Sequence, residues 1–122
     1  MNEVNNKKFT HLKVHTQYSI CEGAILIKAL DQTPDLSTVC KENELRAIGL
    51  CDSYNLCGAL EFSETVSKVG TQPIIGTQIN LIYKNNIGKI PLFAKNLEGY
   101  KNLIKLSSKS FLEINENDSP HC

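Results

Sequence analysis

The sequence predicts an α/β fold with a mostly parallel sheet. Short apolar or alternating segments typical of strands take turns along the chain with segments of helical periodicity. Polar residues follow the predicted strands directly, as Asp52 does, and the carboxyl ends of parallel strands meet at the edge where ligands gather. We therefore expect a strand layer covered by helices, either doubly wound or the opening of a barrel.

The first half of the chain contains signals for two helical segments and one strand. Residues 9–15 alternate between two faces, which predicts a strand, and the short apolar run at 24–30 predicts a helical turn. Residues 33–35 (Thr-Pro-Asp) combine a hydroxyl cap, a proline at the first helical position and an acid in the first turn. They predict a helix start, and Asn43 is expected to end that helix.

Three further elements are predicted in the middle of the chain. The apolar run at 46–51 precedes Asp52, which favours a buried parallel strand carrying the acid at its carboxyl end. Asn55 is expected to cap a helix that Gly70 ends. A strand is predicted over residues 73–83.

The remaining signals predict a hairpin, a last helix and a tail. A turn at 85–88 leads into a returning strand over 89–94, and Asn96 is expected to cap the helix that follows. The chain thus divides into a disordered start (1–8), one domain (9–112) and a polar tail (113–122).

Composition and charge argue against a DNA-binding, a disulfide-rich and a membrane-spanning protein. The 122 residues suit one domain, and 13 basic residues balance 13 acidic ones, so bulk charge does not attract a phosphate backbone. We therefore expect no direct DNA binding by this segment. An odd count of five cysteines argues against a disulfide framework, and neither a signal peptide nor an apolar run of about 20 residues is present. A cytoplasmic location without membrane contact is expected.

The strand tips hold a candidate metal-binding group. Alternate residues of a strand share a face, so the imidazoles of His11 and His15 can converge, with Asp52 following a neighbouring strand. Imidazole nitrogen and carboxylate oxygen are natural ligands of zinc and manganese. The alternative is that both histidines are polar side chains on the rim of the sheet.

Four motifs, in order, resemble the PHP domain family. Residues 11–19 (His-Leu-Lys-Val-His-Thr-Gln-Tyr-Ser) are similar to its opening motif, and residues 52–56 (Asp-Ser-Tyr-Asn-Leu) to its second, usually Asp-His-Gly-Asn-Leu. Residues 73–78 (Pro-Ile-Ile-Gly-Thr-Gln) resemble its third, where Pro-Ile-Ile-Gly-x-Glu is common. Residues 96–103 resemble the Asn-x-x-Gly-Tyr-x-Asn-Leu segment of bacterial replicative (C-family) DNA polymerase alpha subunits.

The resemblance implies an amino-terminal part of such a PHP domain, with a partial, distorted (β/α) TIM-like barrel. The parent activity would be that of a DNA-directed DNA polymerase, a nucleotidyltransferase that uses magnesium in DNA replication. Its catalytic aspartates lie far downstream in the family, so we expect no catalytic residue and no cofactor in this segment. The implied partners are the rest of the alpha subunit and, in some members, the proofreading exonuclease subunit.

The chain departs from the family motifs at three expected metal ligands. Lys13 and Ser53 stand where histidines are usual, and Gln78 replaces a glutamate. The resemblance leaves three positions for any residual metal binding: His15, Glu22 and Asp52.

The sequence leaves open what replaces the ion. One hypothesis is that Lys13 pairs with Asp52 or Glu22 and supplies the missing positive charge. The alternative is that Lys13 faces solvent.

Two other functions compete with the polymerase interpretation. The first is a stand-alone metallophosphoesterase of the histidinol-phosphatase kind, against which the missing ligands count. The second is a truncated product without independent function, because a PHP barrel normally needs well over 122 residues. A half barrel would leave an open sheet edge and an uncovered apolar face, which predicts poor solubility or association.

Overall fold

The computed structural model describes residues 9–29, 31, 34–115 and 118–122. The segment 1–8, expected to be disordered, and Thr33 lie outside these residues. The elements in chain order are α1 (Leu36–Glu42), β1 (Ala47–Ser53), α2 (Ala59–Ser67), β2 (Gln72–Tyr83), β3 (Asn86–Phe93) and α3 (Leu97–Leu112).

The three strands form one mixed sheet in the order β1-β2-β3. β1 and β2 are parallel, from Ala47 opposite Gln72 to Ser53 opposite Gln78. β2 and β3 are antiparallel and end at a hairpin. All of β1 beyond Ala47 is buried, as expected of a parallel strand covered on both faces. The α/β prediction is confirmed.

The predicted strand at 9–15 is wrong as a regular element, although its position beside β1 is right. Val14 donates from its N–H to the Gly49 carbonyl (3.2 Å) and accepts from the Cys51 N–H (2.8 Å). Among the described residues, the pairing of this segment with β1 is limited to one isolated parallel bridge, between Val14 and Leu50. The pairing stays short because the chain turns at Thr16, and this turn brings Ser19 over the end of β1.

Two predicted helix starts are corrected, and one helical turn is absent. Ile25, inside the predicted turn at 24–30, forms a bridge with Thr16, and no helix occurs over 24–29. The side chain of Asp35, expected in the first turn, instead caps α1 by accepting from the Thr38 N–H (2.9 Å), while Asn43 ends the helix as expected.

Asn55 does not cap α2, which has Gly58 at its N-cap position. Its Oδ1 accepts from the Cys57 N–H (3.1 Å), and its amide donates to the carbonyls of Tyr18 and Ser53. A side chain that can bond its own turn competes with helix entry, so the helix begins four residues later.

The core lies between the sheet and the first two helices. The largest fully buried side chain of this core is Phe62 of α2. The other buried residues of the same cluster come from α1, β1, α2 and the loop before α1: Ile27, Leu36, Cys40, Ile48, Leu50, Ala59 and Val66. Among the helices in the described ranges, none is long and apolar enough to cross a membrane.

The hairpin turn is two residues tighter than predicted. β2 ends at Tyr83 and β3 begins at Asn86, so only Lys84 (φ 47°) and Asn85 (φ 64°) form the turn. Two positive φ angles are the signature of a type I′ turn, whose twist matches that of the strands. Residues 86–88, expected in the turn, belong to β3.

Replacing Lys84 with asparagine is expected to raise the free energy of unfolding by about 0.5–1 kcal/mol, because asparagine tolerates the left-handed region better than lysine. Part of the gain is offset because the substitution also removes the Lys84 ammonium, which lies 5.2 Å from the centroid of the Tyr83 ring. Urea unfolding measures the change. Asn85→Ala should lower the same quantity by about 1 kcal/mol; equal effects from the two variants would contradict the turn assignment.

The tail, expected to be a polar extension, returns to the sheet. The Cys122 N–H donates to the Asn80 carbonyl (2.9 Å), and the Ile82 N–H donates to the Cys122 carbonyl (2.8 Å). The His121 N–H donates to the Ser110 carbonyl of α3 (3.2 Å). Residues 120–122 therefore lie between β2 and α3.

Candidate functional site: the polar cluster at the strand ends

The carboxylate of Asp52 is the centre of the polar cluster at the end of β1. It is fully buried and accepts three hydrogen bonds, from the Thr16 N–H (2.6 Å), the Thr16 hydroxyl (2.7 Å) and the Ser19 hydroxyl (2.7 Å). Both of its oxygens are used. Asp52 thereby holds the turn that follows residues 9–15 (the first segment) against the end of β1.

His15 joins this cluster through Ser19. The Ser19 hydroxyl donates its one proton to Asp52 and accepts from the Ser53 N–H (3.0 Å). Its oxygen also lies 3.3 Å from His15 Nδ1. A hydroxyl has a single proton, so His15 Nδ1–H is the donor in this last contact. The imidazole therefore supports the serine.

A second group surrounds Glu22. The Ser53 hydroxyl donates to Glu22 Oε2 (2.5 Å), and the Lys89 ammonium lies 3.6 Å from Oε1. The Ser53 hydrogen bond holds the pKa of the Glu22 carboxyl below its ordinary value; desolvation opposes this and the Lys89 charge adds to it. The charge of the Glu22 carboxylate is thus compensated by two groups of the protein, the Ser53 hydroxyl and the Lys89 ammonium.

Gln78 reaches the same group from β2. Its Nε2 lies 3.5 Å from the Ser53 oxygen, at the limit of a hydrogen bond. Within the part of the chain that the structure describes, nothing donates to its buried Oε1. One neutral acceptor is therefore left open beside Glu22.

Lys13 does not take the place proposed for it. Its side chain is exposed, and the ion pair of Glu22 is formed with Lys89. The structure favours the alternative of a solvent-facing Lys13. Burial raises the pKa of the neighbouring Cys51 thiol to about 11, partly offset by the Lys13 charge, so Cys51 is an inert core thiol.

A cavity of about 250 Å³ opens beside the cluster. Its polar wall contains Glu22 and Ser53, and the rest of its lining is mainly aromatic or apolar: Tyr18, Ile20, Tyr54, Phe111 and Pro120. The tail therefore contributes to this wall through Pro120.

The residues present do not fit a divalent metal ion. Both oxygens of Asp52 accept hydrogen bonds from protein donors, and Glu22 accepts from Ser53 and forms an ion pair with Lys89. His11 is exposed and packs edge-on against Phe9, with ring centroids 4.9 Å apart. Across the described ranges, no three His, Cys, Asp or Glu side chains are grouped so that they could hold an ion.

Tyr54 has a left-handed backbone conformation at the position where the second motif usually has glycine. Its φ is 64°, the left-handed region that favours glycine and costs other residues about 1–2 kcal/mol. Its N–H donates to the Gln78 carbonyl (2.8 Å), and its carbonyl accepts from the Ser107 hydroxyl (3.0 Å). Contacts at both ends therefore hold the corner.

The structure brings together most of the predicted positions. Glu22, Ser53 and Gln78 form one group, and His15 approaches Asp52 through Ser19. Sequence reasoning missed the roles of Thr16, Ser19 and Lys89. The first two lie inside the opening motif and carried a signal as hydroxyl donors, whereas no local pattern marks Lys89, which the hairpin delivers.

Comparisons with known proteins agree with the geometry. The PHP domain model matches residues 11–122. The chain is 38% identical over 116 residues to DNA polymerase III subunit alpha of Helicobacter pylori, covering 88% of this chain and 9% of that protein. The same-named protein of Rickettsia conorii is 39% identical over 116 residues, with coverage of 94% and 9%. That of Vibrio cholerae is 35% identical over 112 residues, with coverage of 89% and 9%.

The chain spans about a tenth of the length of these relatives. The family match covers nearly all of it and includes every residue of the polar cluster. This chain belongs to the PHP domain family and is homologous to part of DNA polymerase III subunit alpha.

Proposed function

We propose that this chain is a PHP segment of a replicative DNA polymerase alpha subunit, in which it has a structural role and no hydrolytic activity. The activity of the whole protein would be DNA-directed DNA synthesis, with its magnesium site in another part of the subunit. The mixed sheet would then form part of a distorted (β/α) barrel. The observation that carries the proposal is the state of Asp52, whose buried carboxylate accepts three hydrogen bonds from protein donors, with both oxygens involved.

Carboxylates that lie close together need compensation for their charge, which metal-binding sites obtain from the ion. Here hydroxyl and amide donors compensate Asp52, and a hydroxyl with an ammonium compensates Glu22. An ion entering the site would have to displace these bonds. The cluster is therefore stable as a structural unit without one.

The proposed partners are the remainder of the alpha subunit and the proofreading exonuclease subunit. Large apolar side chains are exposed on several elements, including Leu60 (72%), Ile87 (71%) and Leu97 (69%). Scattered exposed apolar residues are ordinary on a free domain, but these also suit a segment that packs within a larger subunit.

Metal titration tests the structural role. Calorimetry with zinc or manganese is expected to show no stoichiometric binding to this chain. A variant that restores the family ligands, Lys13→His with Ser53→His and Gln78→Glu, should bind at least tenfold more tightly. Stoichiometric binding by the unmodified chain would show that the site is a working metal centre.

A phosphatase assay separates the proposal from a metallophosphoesterase. We expect no hydrolysis of a generic phosphate monoester with manganese present. Turnover that disappears in Glu22→Gln, which removes the charge but keeps the shape of a partly exposed side chain, would support the enzymatic alternative.

A further inference from the structure

The strand β2 is longer than the strand that pairs with it on one side. The pairing with β1 ends at Ser53 opposite Gln78, and one further bond joins the Tyr54 N–H to the Gln78 carbonyl. β2 itself continues to Tyr83. Its last five residues therefore present backbone groups on this side beyond the reach of β1.

The tail occupies this part of the edge. The Cys122 N–H donates to the Asn80 carbonyl, and the Cys122 carbonyl accepts from the Ile82 N–H. Hydrogen bonds to the residues on either side of Leu81 are the pattern of a parallel bridge. The Asn80 amide also donates to the Pro120 carbonyl (3.1 Å). Hydrogen bonds to neighbouring β2 residues thus hold the end of the tail against β2.

A second set of contacts fixes the tail to α3. The His121 N–H donates to the Ser110 carbonyl, and the Cys122 thiol lies 3.6 Å from the Leu106 carbonyl. Ser110 is fully buried. The tail is therefore held by both the sheet and the helix.

We propose that residues 120–122 are an edge cap: they occupy an acceptor site for a parallel extended segment on β2 and prevent a second copy of the chain from pairing there. Unpaired strand edges promote association between chains, and apolar flanks strengthen that tendency. The uncovered edge would end in Ile82 (41% exposed) and Tyr83 (64% exposed), both apolar and accessible.

Hydrogen exchange tests whether the cap forms. The Ile82 N–H bonds to the tail, whereas alternation along β2 directs the Leu81 N–H to β3. In the 122-residue chain both amides should be protected. Cys122→Pro removes the N–H that bonds to Asn80 and should reduce protection at Ile82 at least tenfold while sparing Leu81. Cys122→Ala keeps the backbone bonds and removes only the thiol, so it should behave as the parent does.

Sedimentation velocity tests what the cap does. Cys122→Pro should sediment as a dimer or larger species at concentrations where the parent and Cys122→Ala are monomers. Deleting Cys122 alone should have the same effect without introducing proline. An unprotected Ile82 amide in the parent would overturn the cap, and monomeric Cys122→Pro and deletion variants would overturn its protective role.

Discussion

Replacing Asp52 with alanine is expected to lower the free energy of unfolding by about 3–5 kcal/mol. The carboxylate is fully buried, and its loss would leave three donors on Thr16 and Ser19 without their acceptor. Each unsatisfied buried donor costs about 1–3 kcal/mol, partly relieved where water enters. A domain of this size has about 5–15 kcal/mol in total, so the variant would be close to unfolding. Urea denaturation followed by circular dichroism measures the change.

Two variants control the Asp52 experiment. Asp52→Asn keeps the shape and one oxygen but turns a donor toward the hydroxyls, so an intermediate loss is expected. Glu64→Gln, on the exposed face of α2, should change stability by less than about 0.5 kcal/mol. A loss below about 1 kcal/mol for Asp52→Ala would mean that the hydrogen bonds do not hold the turn, and the structural role of the site would fall with them.

Gly49→Ala is expected to cost about 2–4 kcal/mol. An added Cβ would lie 2.5 Å from the Leu12 carbonyl oxygen and 2.7 Å from the Leu12 Cα, both backbone atoms that cannot rotate away. Relief would require the first segment to move off β1 and lose the bonds of Val14. Thermal and urea unfolding should both show the loss.

Gly88→Ala is the matched control for the Gly49 substitution. It also lies in a strand, but a Cβ there meets no atom within 4 Å. Its effect should be near zero or slightly stabilising, because alanine restricts the unfolded chain. Equal losses at the two glycines would indicate a general intolerance of strand glycines rather than close backbone contact at Leu12.

Long, periodic elements could be predicted from the sequence, whereas those shaped by distant contacts could not. β2 and α3 were located to within a residue or two, since a strong apolar pattern and the Asn96 cap mark them locally. The first segment alternates like a strand, yet its path is set by Asp52, 36 residues beyond Thr16. Asn55 has the chemistry of a cap, but it bonds the turn that precedes the helix.

The candidate site was predictable in part of its membership and not in its pairing. Family resemblance identified Glu22, Ser53 and Gln78, which the structure brings together. The partner of Glu22 was mistaken, because Lys89 reaches it only through the register of the β2–β3 hairpin. Periodicity reports which face of an element a residue occupies but gives no distance between side chains of different elements.

The corner at Tyr54 shows that shape and chemistry can change separately at one site. An aromatic residue occupies a bend that suits glycine, and bonds to Gln78 and Ser107 at its two ends keep the bend in place. The path of the loop is therefore dictated by its anchors, and the occupant alters only the energy of following it. Exchanges at position 54 are therefore expected to change how stable the loop is while the outline of the domain, and any docking that depends on that outline, persists.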